Sequence, residues 1–199
     1  MGFTEILVPP AVDISRRFRL RAATRAEHAR LDALITSAGF LTTRPRYLAY
    51  LAATLNAREA IERALDAAGV VEVYPDWPLR GISACLRRDL DDLDHAPTLP
   101  VSGFAVSGRA AILGTLYVLE GASLGARLLQ GAAADMGLHA TFGARHMAAQ
   151  TADSRVWPRF TSLLDAAVLD AAGEAACHQS AVLAFKRFER SYRQALVEA

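Results

Sequence analysis

Apolar residues along this chain recur at intervals of three and four, and no stretch shows the two-residue alternation of a half-buried strand. Six helices are expected. The first, from about Ile14 to Ile35, carries Leu20, Thr24, His28, Leu31 and Ile35 in one stripe. The second takes Thr43 as its N-cap and Pro45 in its first turn, repeats through Leu48, Leu51, Leu55 and Leu65, and stops at Gly69. Val70 to Tyr74, followed by Pro75 and Pro78, reads as a connector. A third helix from near Pro78 lines up Leu79, Ile82, Leu86, Leu90 and Leu93, and His95 to Pro100 ends it. The fourth occupies Ser107 to Gln130. After a loop containing Gly137 and Gly143 come a fifth around Trp157 to Leu169 and a last from about Glu174 to Leu196. Phe185, Phe188, Tyr192 and Leu196 share one side of that last helix. With no repeat, low-complexity tract or long linker, the pattern describes one all-α domain over residues 1–199, a helical bundle whose residues 1–13 form an irregular N-terminal extension.

The fourth helix breaks the usual composition of a core helix. Gly121 and Gly125 lie in its interior, where each glycine costs roughly 0.5–1 kcal/mol relative to alanine. Four residues apart, they stack on one face, which Ala122 and Ala126 widen with small side chains. Such a face admits either a second helix or a flat ligand against its backbone.

Composition narrows the class. The 199 residues are 52% hydrophobic, enough for a substantial core. Twenty-two basic and twenty-one acidic residues leave a net charge of +1, which excludes a global field for nucleic acid or membrane. Cys85 and Cys177 are far apart and form no paired motif, so a reducing, cytoplasmic setting is expected. The segment Met1 to Pro10 lacks a basic region before its short apolar run, unlike a signal peptide. The apolar run Ala110 to Leu119 falls short of the roughly 18 residues that span a bilayer.

Among titratable groups, His28 stands out because it interrupts an otherwise core-facing stripe. A neutral imidazole on a rigid helix suits axial ligation of haem iron, and Asp32, one turn on, is placed to orient its other ring nitrogen. Spacing alone favours the plainer reading, a partly buried, hydrogen-bonded histidine. Arg21, Arg25 and Arg30 are either a frame for an anionic ligand or a solvated face. Tyr117 and Ser123 are the hydroxyls nearest the glycines in sequence. His95, His139, His146 and His178 are scattered, with no HExxH, no Glu-x-x-His pair of the diiron kind and no Gly-x-Ser-x-Gly.

Two segments together resemble the haem oxygenases, particularly the bacterial biliverdin-forming members. Leu20-Arg21-Ala22-Ala23-Thr24-Arg25-Ala26-Glu27-His28 is similar to the family's proximal helix. Leu116-Tyr117-Val118-Leu119-Glu120-Gly121-Ala122-Ser123-Leu124-Gly125-Ala126 is similar to its distal helix. Weaker echoes are Trp77 with Arg80 and Asp89-Leu90, Trp157 with Phe160, and Ala184-Phe185, so the resemblance spans roughly residues 15–196. It implies that haem (iron protoporphyrin IX), both cofactor and substrate, is sandwiched between the first and fourth helices. His28 is then the iron ligand, and Gly121 and Gly125 face bound oxygen. Arg21 and Tyr117 match propionate-contacting positions, Phe185 a pocket wall, and Lys186, Arg187 and Arg190 further propionate partners. The implied reaction cleaves haem with oxygen and external electrons to biliverdin, carbon monoxide and iron. No flavin or nicotinamide motif is present, so a separate ferredoxin or reductase is implied as electron donor. Biliverdin would pass to a reductase or a photoreceptor.

One position departs from the family pattern. Ala122 stands where bacterial members carry serine and mammalian-type enzymes aspartate, side chains that help hold a proton-delivering water network. Ser123 points about 100° away on the helix. Two alternatives stay open: a non-catalytic haem-binding protein on the same fold, and a haem-free relative such as a thiaminase-like hydrolase with a pocket cysteine or a diiron oxidase.

Overall fold

The computed structural model describes residues 15–96 and 103–198; residues 1–13, expected as an irregular extension, and part of the His95–Pro100 terminator lie outside them. Nine α-helices and one 3-10 turn are found among the described residues, with no strand. They are α1 (Arg16–Ala23), α2 (Arg25–Ser37), α3 (Arg44–Ala67), α4 (Val70–Val73), α5 (Ser83–Asp91), α6 (Gly108–Asp135), α7 (Arg145–Thr151), α8 (Val156–Ala166) and α9 (Ala171–Glu198). The all-α expectation therefore holds. Four local expectations do not.

The first expected helix is two. Thr24 sits at φ −106° and ψ 6°, and its hydroxyl donates to the Leu20 carbonyl at 2.8 Å. Such back-bonding to the preceding turn bends a helix, and here it divides α1 from α2. The expected apolar stripe divides with it: Leu20 and Thr24 are buried, whereas α2 carries no fully buried residue.

The third helix begins at Ser83 rather than near Pro78. Trp77–Leu79 form a 3-10 turn, and Leu79 is 84% exposed instead of joining the stripe. The start of α5 is set from a distance, by the Glu62 carboxylate, which accepts from Ile82 N at 3.0 Å and Ser83 N at 3.3 Å. Val70–Val73, expected as connector, winds one helical turn after Gly69, whose φ of +73° ends α3. Within the expected loop after Gly137 lies α7. Asp89 of α5 starts it by accepting from the Arg145 and His146 amides at 2.8 and 3.0 Å.

The core is organised on α9, which packs against α1, α2, α3 and α6. In α3, Thr43 accepts from Arg46 N as the N-cap, and the helix is buried on nearly all sides. Its polar residues are consequently paired: Arg58 with Glu62 at 2.8 Å, and Asn56 with Arg187 at 2.7 Å. By length and composition alone α6 is apolar enough to cross a membrane, yet it packs into this bundle against α7, α8 and α9. Its close approach to α9 occurs at Gly114, where a Cβ would overlap the Cys177 carbonyl and lie 2.8 Å from its carbon.

Candidate functional site

His28 is far more exposed than a core stripe implies, with 61% of its side chain accessible. Its Nδ1 lies 2.8 Å from Asp32 Oδ2, one turn on. A carboxylate at this distance accepts from Nδ1–H, an arrangement that in the neutral ring puts the lone pair on Nε2. The ring meets Phe185 of α9 edge-on, at 5.6 Å between centroids and 66° between planes. Phe185 is itself buried and thus gives α2 a fixed backstop.

On α6, a nearly bare stripe faces outward beyond Gly114. Seven and eleven residues beyond Gly114, Gly121 and Gly125 come within about 20° of the same helix face. The two ends of that face differ. At Gly114 the stripe is filled by α9 backbone. At Gly121 a Cβ would meet only the Trp157 ring, at 3.7 Å, and at Gly125 it would meet nothing within 4 Å. Helix packing therefore explains Gly114 and not Gly125. Ala122 is exposed beside them. Ser123 is buried, its hydroxyl donating to the Glu120 carbonyl at 2.7 Å. Glu120 points to the buried side as well, held by Arg80 Nη2 at 2.8 Å.

Tyr117 links the two segments. Thr24, at the α1–α2 break, and the charges of Arg21 and Arg17 act on its hydroxyl. Burial pushes its pKa up, against those lowering influences. Arg21, Lys186 and Arg190 are exposed cations on α1 and α9. Arg187 is different: it is buried and donates to the Asn56 carbonyl and side-chain oxygen at 3.0 and 2.7 Å. It braces α9 against α3 and so leaves the propionate candidates.

Trp157 is the contribution that sequence reasoning missed. It appeared only as a weak echo, because nothing in the spacing ties it to a glycine 36 residues earlier. Both cysteines are free. Burial pushes the Cys177 thiol up to about 11 and raises Cys85 as well, the opposite of an activated nucleophile. Among the described residues no group of three or more metal-ligating side chains gathers. Both observations weigh against the haem-free alternatives.

An all-α scaffold that offers an imidazole nitrogen from one helix and a side-chain-free backbone from another defines a site for a flat, metal-centred ligand. No family model matches the chain. It is 31% identical over 180 residues to haem oxygenase PigA of Pseudomonas aeruginosa, covering 87% of this chain and 89% of that protein. The structure of the NO- and CO-bound haem oxygenase from Neisseria meningitidis superposes with a TM-score of 0.84 at 25% identity, covering 92% of this chain and 93% of that one. The chain belongs to the haem oxygenase family, whose members degrade haem and use it as both cofactor and substrate. The residues present fit that group: a free imidazole nitrogen, an open backbone cradle at Gly125 and exposed cations for carboxylates.

Proposed function

We propose that the chain cleaves haem with dioxygen and externally supplied electrons to biliverdin, carbon monoxide and iron. The pairing of a His28 ring held through Nδ1 by Asp32 with a face of α6 left open at Gly125 carries this reading. Bound haem supplies both the iron that activates dioxygen and the ring that is oxidised.

Each residue then has a definite task. His28 Nε2 ligates the iron, while Asp32 fixes the tautomer and the orientation of the ring. Phe185 keeps the imidazole upright. Gly121 and Gly125 bring backbone amides and water, rather than side chains, against the oxygen-binding side. Ala122 adds only a methyl group there, and the Ser123 hydroxyl is committed to the Glu120 carbonyl. Protons consequently arrive through ordered water. Arg21, Lys186 and Arg190 pair with the propionates, and Tyr117 closes the end of the cleft near Thr24. Electrons come from a separate ferredoxin or reductase, and the released biliverdin passes to a reductase or photoreceptor. The chain acts as one domain in the cytoplasm, where unpaired cysteines suit a reducing medium.

A hemin titration of wild type beside His28→Ala tests the assignment. Wild type is expected to give a Soret band of a histidine-ligated haem, and the variant to lose or shift it. An identical spectrum in both would remove His28 as ligand. Ala122 favours one second reading, a haem-binding protein that holds the group without turnover.

A further inference from the structure

The bare stripe of α6 is not open along its whole length, and the side chain that bounds it belongs to neither proximal nor distal helix. Trp157 of α8 presents Cζ3 and Cη2, the outer edge of its six-membered ring, 3.7 Å from where a Gly121 Cβ would stand. That is ordinary van der Waals distance from the added carbon, so the indole bounds the space over Gly121 without closing it. The ring lies 5.8 Å from the Tyr117 ring and 6.1 Å from that of Phe160. Phe160 is fully buried, and Val156 anchors the start of α8 in the core. The wall is therefore rigid, whereas Gly125, one turn further, faces open space.

Resting on the reading that haem lies against this stripe, we propose that Trp157 is the residue that sets which way over haem is seated, and with it which of the two lateral bridge carbons that this turn exchanges lies on a given side of the stripe. Haem has near-symmetry. Turning it over about the axis through the propionate side exchanges vinyl and methyl positions while leaving the propionates and iron in place. Cations at the propionates cannot distinguish the two seatings, and neither can an axial imidazole. A rigid aromatic edge at one end of the cradle does so, because vinyl and methyl groups differ in reach and in the van der Waals contact they make with it. Trp157 is thus a positioning residue: it does not ligate iron or move protons.

The test uses full-length wild type, Trp157→Phe and Trp157→Ala, each loaded with hemin and bound by cyanide. Proton NMR of the haem methyl groups then gives the ratio of seatings, and chromatography of biliverdin isomers after turnover gives its consequence. Trp157→Ala is expected to change the seating ratio by about three- to tenfold while still binding haem, and Trp157→Phe to change it less. Should Trp157→Ala fail to fold, Trp157→Phe carries the measurement. Haem bound in all proteins with an unchanged ratio would overturn the role of Trp157 and leave the haem site intact. Failure of wild type to bind haem would overturn both.

Discussion

Three glycines on one face of α6 perform different physical tasks, and substitution separates them. A Cβ at Gly114 would collide with the Cys177 backbone, which has no flexible end to move aside, so Gly114→Ala is expected to destabilise by at least about 1–3 kcal/mol. Gly125 has neither a neighbour within 4 Å nor an unusual backbone angle. Gly125→Ala therefore gains helix propensity and should stabilise the haem-free protein by about 0.5–1 kcal/mol. The same methyl group projects into the cradle, so haem uptake should weaken or the coordination spectrum change. Thermal melts with and without hemin check both directions. An alanine that left haem binding untouched would mean that nothing lies against Gly125. His28 and Gly125 stood out in the sequence because each breaks a local rule. That Gly114 is the packing glycine was not, because its partner is backbone 63 residues away.

At the scale of elements, helix ends are held by distant side chains. Arg16 opens α1, and its guanidinium donates to the Leu164 and Ala167 carbonyls at the end of α8 as well as to Glu174 at the start of α9. It thereby satisfies carbonyls that a helix terminus leaves unpaired. The hydrogen bond from Arg16 is the main influence holding the Glu174 carboxyl below its ordinary value of 4.5. A carboxyl whose pKa is lowered in the folded state stabilises that state above 4.5, and the contribution disappears as pH falls through the folded value. Glu174→Gln is thus expected to cost about 1–2 kcal/mol near neutral pH, with the gap to wild type narrowing below pH 4.5. Urea melts across that range measure it, and a gap that stayed constant into acid would contradict the linkage. This same logic explains what was hidden in the sequence. Helical periodicity was plain in α3, α6 and α9, where stripes repeat over several turns. It was silent about α7 and the start of α5, because the carboxylates of Asp89 and Glu62 that cap them come from other helices.

For the whole molecule, a core gathered on α9 holds α6 by close backbone contact at Gly114 and α2 through Phe185. The chain's membership in the haem oxygenase family was legible because His28 and the glycine pair are each short, local strings. The wall at Trp157 depends on how α8 packs, and no string records it. Glu120 and Ser123 are buried and committed to Arg80 and to the helix backbone, and Ala122 adds only a methyl group, so the proposed turnover is the claim that most needs a direct test. That claim is addressed by following the hemin complex under air with an electron donor, either a ferredoxin with its reductase or ascorbate. The account predicts decay of the Soret band, growth of biliverdin absorption and stoichiometric release of carbon monoxide. A haem spectrum that persists through the same treatment would contradict it.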